Sequence, residues 1–410
     1  MLESSQQNPQ ATPEEINPDQ QQTITQWFTS FPLTFHNLSR SNRLALQVLL
    51  CSMSFLLGMG YGQTQEPEKM AIGGTGYGLL SNLPEIPEPP EPIRIKAVGD
   101  ILPGTNYPSP RLHPQEEQLF TAVAPLLEDA EVVFGNLETT LTDVASASKR
   151  MGNGLMFAFR TPPHYSRLLE ATGFDVLSVA NNHSFDFGKQ GFNDTIKHIE
   201  QTGMEAIGEK AEISYTQVDE VTIAWIGFSV YPQHNSILEQ EQGIALVKKA
   251  QDQADFVVLS IHGGAEGTGA LNTRDRTEYF YGENRGNLVQ FSRTMIDHGA
   301  DLILGHGPHV PRGLELYKDK LIAYSLGNFM GYQTFSTTSH LGTSLILEVE
   351  VNEQGDFLQG KILPLRLNQQ GIPAPSSSGE SIQLLQHLTQ TDFPDTPLEI
   401  AADGTILRRD

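Results

Sequence analysis

The sequence predicts an α/β domain, with a mixed sheet or two stacked sheets, that follows an N-terminal transmembrane helix. From Ile93 onward, short apolar and β-branched segments alternate with amphipathic helical patterns, an order of elements typical of α/β proteins. After His309 the pattern changes to consecutive strands, which is why the sheet is expected to be mixed. A long uncharged apolar run precedes this region and predicts the membrane helix.

The predicted domain covers residues 93–365. Its first strands, most of which end in Gly, Asn or His, are 93–99, 131–136, 175–181, 221–228, 255–262 and 301–306. Helical patterns such as PPHYSRLLEATG and GFNDTIKHIEQTG lie between several of them. The last segment, 366–410, carries Pro, Ser and Gln, and we expect a weakly ordered tail with one short helix.

Three segments precede the domain. Residues 1–43 are rich in Gln, Pro, Asn, Thr and Glu and are predicted to be a disordered cytoplasmic terminus. Residues 44–62 contain the uncharged run and are predicted to span the membrane, with Arg40 and Arg43 on the cytoplasmic side. A buried core helix or a cleaved signal peptide would be the alternatives, but more than forty residues precede the run. Residues 63–92 form a Gly- and Pro-rich linker. Because Arg40 and Arg43 keep the amino-terminal side in the cytoplasm, the domain that follows the linker is expected on the extracytoplasmic side.

Composition excludes some classes of partner. The formal net charge of −23 over 410 residues argues against a nucleic-acid partner, which would require a basic surface. The same charge would repel an anionic polymer unless metal ions or local Arg and Lys side chains mediate the contact. Cys51 is the single cysteine of the sequence, so no internal disulfide can form.

Polar residues fall at the ends of several predicted strands, where ligand-binding groups of α/β sheets gather. They are Asp100, Asn136, Glu138, Asn182, His183, His262, His306 and His309. Imidazole, carboxylate and amide ligands without thiolate suit Zn, Mn or Fe, and two such ions can promote hydrolysis of a phosphate ester. A single strand-end Asp is usually a helix cap, and Asn181 with Asn182 could form a turn. Caps and turns would have to explain the polar residues at five separate strand ends at once, so the pattern favours a metal site.

Seven motifs resemble those of the CapA (poly-γ-glutamate capsule biosynthesis) family, a branch of the calcineurin-like metallophosphatase superfamily. They are AVGDILPG, VVFGNLETTLTD, FAFRTPP, VLSVANNHSFDFG, SIHGGAE, LILGHGPHVPRGLE and IAYSLGNF, in order from about Ile93 to Phe329. The resemblance implies a four-layer α/β/β/α sandwich, a centre of one or two divalent metal ions (Mn, Zn or Fe) and an N-terminal membrane anchor.

The resemblance also assigns roles to individual residues. It implies that Asp100, Asn182, His262, His306 and His309 are metal ligands and that His183 is an acid near the leaving oxygen. The superfamily has His where this chain has Leu102, and Gly-Asp where this chain has Gly135-Asn136. Glu138 is the nearby carboxylate to which we assign the bridging role. These departures leave one metal position poor in anionic ligands.

Further residues are predicted to support the site. Asp186 is expected to hold the loop of His183. Glu266 is either a residue that orients His262 or a surface glutamate of its loop. Arg160 is a candidate anion-binding residue, because a guanidinium group forks to phosphate or carboxylate. The predicted substrate-binding residues are Asn136, Arg160, Asn181, Glu266 and Asn328. The segment 270–287 has mixed charges and aromatic residues and is either a lid or a solvated insertion.

Two functions fit this pattern. The first is a metal-dependent phosphoric ester hydrolase acting on a phosphate- or carboxylate-bearing substrate of the cell envelope. The second is a non-catalytic or weakly catalytic accessory of capsule polymer synthesis or export, which uses the same pocket to bind anionic groups of the polymer.

Overall fold

The computed structural model describes residues 91–148 and 157–409. The predicted disordered terminus, the predicted transmembrane segment and all but the end of the predicted linker lie outside these ranges. Among the described residues, no helix combines the length and the apolar character that crossing a bilayer requires.

The strands are numbered here in chain order. They are β1 (Ile93–Leu102), β2 (Val132–Leu137), β3 (Thr140–Leu141), β4 (Arg160–Thr161), β5 (Val176–Ser178), β6 (Glu205–Ile207), β7 (Ser214–Val218), β8 (Val221–Ser229), β9 (Asn235–Ser236), β10 (Phe256–His262), β11 (Tyr279–Phe280), β12 (Glu283–Asn284), β13 (Leu302–His306), β14 (Leu314–Tyr317), β15 (Lys320–Ala323), β16 (Asn328–Gly331), β17 (Thr343–Val351), β18 (Phe357–Leu367), β19 (Pro373–Pro375), β20 (Leu398–Ile400) and β21 (Thr405–Arg408).

The helices alternate with the strands of the first two thirds of the domain, and one more helix lies near the end of the domain. They are α1 (Ala124–Leu127), α2 (Tyr165–Thr172), α3 (Gly188–Glu200), α4 (Gln240–Gln251), α5 (Leu288–Asp297) and α6 (Glu380–Asp392). Short 3₁₀ turns occupy Glu116–Leu119, Thr268–Ala270 and Ser339–Gly342.

Two large sheets form the domain. The ten-stranded sheet has the order β20-β21-β18-β17-β1-β2-β5-β6, with β16 beside β1 and β19 beside β18. The seven-stranded sheet has the order β14-β15-β13-β10-β8-β7, with β9 beside β8. Strands β1, β2, β5, β6 and β16 run parallel in the first sheet, and β8, β10, β13 and β15 run parallel in the second. The remaining strands of the first sheet are antiparallel, so the predicted mixed sheet is confirmed.

The sheets face each other, and helices cover their outer faces. Trp225 of β8 points inward and stacks on Phe134 of β2, with ring centroids 5.6 Å apart. The neighbouring Phe228 points outward and belongs to the core that includes residues of α4 and α5. On the outer face of the first sheet, Val133 shares a core with Leu169 of α2. Because strand side chains alternate between faces, each sheet contributes to two cores and the layers follow the order helix, sheet, sheet, helix.

The prediction of a weakly ordered tail over 366–410 is wrong for its described part. Strand β21 pairs with β18, and β20 pairs with β21, so this segment extends the first sheet. In α6 the apolar residues Ile382, Leu385 and Leu388 are buried. Their spacing of three places them on one face of the helix. Some of the Pro and Ser residues that suggested disorder are part of this structure, since Pro373 and Pro375 lie in β19 and Ser381 is buried in α6.

The register of the parallel strands brings the predicted site residues to one level. Asp100 of β1 is opposite Asn136 of β2 and Asn328 of β16, and His262 of β10 is opposite His306 of β13. The approach of β1 to the turn before β16 requires Gly99, because a Cβ atom there would lie 1.9 Å from the carbonyl oxygen of Gly327. The amide of Asp100 donates to that same oxygen at 2.9 Å.

Candidate metal centre

Asp100 joins the two sheets at the edge where their parallel strands end. Its carboxylate is fully buried, and Oδ1 accepts a hydrogen bond from Asn136 Nδ2 at 2.9 Å. From the other sheet, His306 Nδ1 lies 3.4 Å from Oδ1 and His309 Nδ1 lies 3.0 Å from Oδ2. Residues distant in sequence therefore converge on a single carboxylate.

Glu138 completes a group that could hold a cation. One ligand atom each of Asp100, Glu138 and His309 lie within 4.8 Å of one another. Glu138 is fully buried, and no described residue forms a hydrogen bond with either of its carboxylate oxygens. His309 Nε2 lies 3.6 Å from Glu138 Oε1. A buried carboxylate without hydrogen bonds is costly unless a cation accompanies it.

Two further histidines present unused ring nitrogens. His262 and His306 are both buried, and neither ring nitrogen of either residue has a hydrogen-bond partner within residues 91–148 and 157–409. Burial, reinforced by the charge of Arg285, holds the pKa of His262 well below its usual range. The neutral imidazole that results is the form that binds metal ions.

These side chains fit a divalent-cation centre. Asp100, Glu138, His262, His306 and His309 offer oxygen and nitrogen atoms without thiolate, the donor set predicted for Zn, Mn or Fe. Burial and the nearby charge of Asp100 raise the pKa of Glu138 well above its usual range. Burial opposes ionisation of Asp100 as well, but the nearby imidazoles of His306 and His309 lower its pKa. In the absence of a cation, protons therefore compensate the charge of this group.

We expect the metal-free protein to lose stability as the pH rises from about 6.5 towards 10. Burial lowers the pKa of His309, but Glu138 and Asp100 outweigh it and raise the value from 6.5 to about 10. A raised folded-state pKa contributes stability that is fully present below the unfolded value and is lost as the pH passes the folded value. A bound cation replaces this proton, so the metal-loaded protein should lack the loss.

Thermal unfolding across this pH range, with and without Mn²⁺ or Zn²⁺, measures the difference. His309→Asn should flatten the profile of the metal-free protein. Parallel profiles for the metal-free and metal-loaded wild type would contradict the expectation.

His183 and Asp186 form a buried pair in the loop after β5. His183 Nδ1 lies 2.8 Å from Asp186 Oδ2, and the same oxygen accepts a hydrogen bond from the backbone amide of Phe159 at 2.8 Å. The ring of Phe159 packs on the imidazole, with centroids 4.5 Å apart. The carboxylate and the aromatic ring thus fix the orientation of His183.

Three asparagines predicted to bind substrate use their amide groups within the protein instead. Asn136 donates to Asp100 and accepts from Asn181 Nδ2 at 3.1 Å, while Asn181 Oδ1 accepts from the amide of His183 at 3.0 Å. Asn328 Oδ1 lies 2.9 Å from His309 Nδ1, and its Nδ2 donates to the carbonyl of Leu341. These side chains position Asp100, His183 and His309, and Asn136 and Asn181 connect Asp100 to the loop of His183.

The expected contact between Glu266 and His262 is absent from the part of the chain that the structure describes, because Glu266 pairs with Arg285 at 3.2 Å.

Arg160 donates from Nε to Asn106 and from Nη1 to the carbonyl of Val144, so anion binding by Arg160 gains no support from these contacts. Asn182 is half-buried in the loop of His183, and its role as a ligand stays a prediction.

The segment 270–287 is held against the site. Glu278 immediately precedes its β11–β12 hairpin, and the Glu278 carboxylate accepts two hydrogen bonds from the buried Arg312, at 2.8 and 2.9 Å, and one from the amide of Ala265. Its end carries Arg285, a buried residue that the sequence analysis missed. No pattern distinguishes Arg285 from the exposed Arg274 and Arg276, because its burial depends on tertiary contacts alone.

Comparison with known proteins agrees with the motifs. The family model described as "Bacterial capsule synthesis protein PGA_cap" matches residues 94–333, more than half of the chain. The PGA biosynthesis protein CapA of Bacillus subtilis (strain 168) is 29% identical over 303 residues, which are 68% of this chain and 72% of that protein. The capsule biosynthesis protein CapA of Bacillus anthracis is 28% identical over 310 residues, 70% of each chain.

Among solved structures, a 5'-nucleotidase precursor from Thermus thermophilus aligns with 73% of this chain and 59% of its own, at 10% identity and a TM-score of 0.38. A score this low carries no conclusion about the present site. The matches in sequence confirm the resemblance to the CapA family that the motifs indicated. This chain belongs to the family of bacterial capsule synthesis proteins described as PGA_cap.

Proposed function

We propose that this chain is a metal-dependent phosphoric ester hydrolase of cell-envelope or capsule polymer metabolism. The observation that carries the proposal is the cluster of Asp100, Glu138 and His309, one ligand atom of each lying within 4.8 Å of the others. His306 Nδ1 lies 3.4 Å from Asp100, His262 is opposite His306 on the neighbouring strand, and most of these buried ligand atoms have no hydrogen-bond partner among the described residues. These residues would hold one or two divalent cations. When bound, such cations activate water and stabilise the charge that develops on a phosphoryl group.

His183 would protonate the leaving group. Asn136 and Asn181 connect Asp100 to the loop of His183, so the His183–Asp186 pair is tied to the same site. Asp186 holds the imidazole through Nδ1, and Nε2 would donate the proton that the leaving oxygen takes up as its bond to phosphorus breaks. This is general acid catalysis by an oriented histidine.

The location is part of the same proposal. Residues 44–62 are uncharged and follow Arg40 and Arg43, a pattern that supports a single-pass anchor with the domain on the extracytoplasmic side. The names of the relatives, which mention capsule and PGA biosynthesis, suggest that the substrate is a phosphate- or carboxylate-bearing component of the envelope.

One observation favours an accessory without turnover. Asn136, at the position where the superfamily has a bridging aspartate, uses its amide group on Asp100 and Asn181, and Leu102 is buried at the position of a histidine ligand. The centre therefore has fewer anionic ligands than the superfamily pattern provides. In this case the pocket would bind anionic groups of a poly-γ-glutamate-like polymer through its cation during synthesis or export.

Metal content and turnover together separate the two functions. The full-length chain, purified in detergent, would be stripped with a chelator, reloaded with Mn²⁺ or Zn²⁺ and subjected to elemental analysis. We expect at least one ion per chain and hydrolysis of generic phosphomonoesters or diesters that chelation abolishes and reloading restores. Stoichiometric metal without turnover on any ester would favour the accessory, and a chain that binds no metal would refute both.

A further inference from the structure

Arg285 is a buried cation beside the candidate metal centre. Only 1% of its surface is exposed. Its Nε donates to the carbonyl of Gly264 at 2.9 Å, and the amide of Gly264 donates to the carbonyl of Arg285 at 2.8 Å. Gly264 follows His262 by two residues, and Gly264 has a φ of +82°, a conformation that disfavours other residues. The end of the β11–β12 hairpin is thus bonded directly to the loop that leaves the metal-ligand strand.

The Arg285 guanidinium does not use all of its donors in hydrogen bonds. Nη1 donates to Glu283 at 3.0 Å and to the Tyr231 hydroxyl at 3.2 Å. Nη2 lies 3.2 Å from Glu266 Oε1 in an ion pair, but within the described ranges it has no partner in hydrogen-bond geometry. The charge of Arg285 reaches the metal-ligand group, since it contributes to lowering the pKa of His262 and opposes the rise in that of Glu138.

Arg285 is not the only anchor of the hairpin. The hairpin is already held by the Glu278 carboxylate, which binds Arg312 and the amide of Ala265. A fixed positive charge next to cation ligands weakens metal binding by repulsion. The arrangement would become favourable if an anion bound between the guanidinium and the metal-ligand group, because the anion would attract both Arg285 and a bound cation.

We propose that Arg285 is a substrate-binding residue that holds an anionic phosphate oxygen, and that Glu266 occupies the guanidinium until the substrate displaces it. The inference deepens the proposed function and rests on it, since it assigns recognition of the phosphate charge to the hairpin segment 270–287. It differs from the expectation for Arg160, whose guanidinium bonds to Asn106 and Val144.

Inorganic phosphate is the probe. Calorimetric titration of the full-length chain in detergent, metal-free and Mn²⁺-loaded, would compare the wild type with Arg285→Gln, Arg285→Lys and Glu266→Gln. Arg276→Gln is the matched control, because it removes an exposed guanidinium from the same segment. We expect Arg285→Gln to weaken phosphate binding about tenfold to a hundredfold in both states, the loss expected for a charge-assisted hydrogen bond. Arg285→Lys should give a smaller loss, and Arg276→Gln should match the wild type.

Glu266→Gln distinguishes anion binding from structural support. Removing the competing carboxylate should strengthen phosphate binding, whereas a merely structural network would be weakened by the same change. If Arg285→Gln does not fold, this variant decides, and unchanged or weaker binding by Glu266→Gln overturns the inference. Wild-type protein that binds no phosphate, or Arg285→Gln that binds like Arg276→Gln, also overturns it. Ester turnover is measured separately, so an Arg285-dependent phosphate site without turnover would reject the hydrolase and retain the anion site.

Discussion

Asp100→Asn should weaken metal binding by about 100-fold or more and lower turnover with it. Its carboxylate accepts from Asn136 and contacts His306 and His309, so it is the group on which the ligands of both sheets converge. The asparagine amide is uncharged and one of its two polar atoms is a donor, which would face histidine nitrogens or the cation. Because changes even to residues that only support a ligand typically cost 10- to 100-fold in metal affinity, we expect a loss of about 100-fold or more.

The measurement is metal stoichiometry after dialysis, together with competition against a chromophoric chelator. Asp301→Asn is the matched control, since Asp301 is also a buried carboxylate but lies before β13, at the opposite end of that strand from His306, where it pairs with Lys320 and the amide of Val257. This control should be less stable but should bind metal like the wild type. Normal metal content in folded Asp100→Asn would remove the basis of the proposed site.

His183→Ala should lower kcat by about 10²- to 10⁴-fold, the usual range for loss of a general acid, while metal content stays unchanged. Asp186→Asn should lower kcat as well, because the amide can donate to Nδ1 and stabilise the wrong tautomer of His183.

His164→Ala serves as the control because His164 is exposed and pairs with Glu116 at the surface. Its kcat should equal that of the wild type. A leaving group that needs no proton, such as p-nitrophenolate, should reduce the effect of His183→Ala. An equal loss with good and poor leaving groups would show that His183 does not act as the acid.

The convergence of the ligands could be predicted from sequence because parallel strands end at the same edge of a sheet. Asp100, His262 and His306 each stand at or near the end of a buried apolar segment, and the alternation of strands and helices made those segments parallel. What remained hidden was the packing of one sheet against the other, which sets the 3.0 Å contact between His309 and Asp100.

Side chains that can bond to either a ligand or a neighbour were less predictable. From sequence, Asn136, Asn181 and Asn328 were expected to contact the substrate. In the structure each side-chain amide donates to a neighbouring side chain or carbonyl of the protein. Arg285 shows the opposite case, because its burial arises only when the hairpin folds back onto Gly264. The tail was misjudged because its composition is polar overall, while three spaced apolar residues in α6 suffice to bury one face.

The junction at Asp100 has a consequence for the order of maturation. About two hundred residues separate Asp100 from His309 along the chain, and they approach only when both sheets are complete. A partly synthesised polypeptide therefore lacks the complete set of proposed ligands. If the proposed centre binds a cation, loading must follow closure of the domain, and the cation would be the one supplied by the compartment in which folding ends.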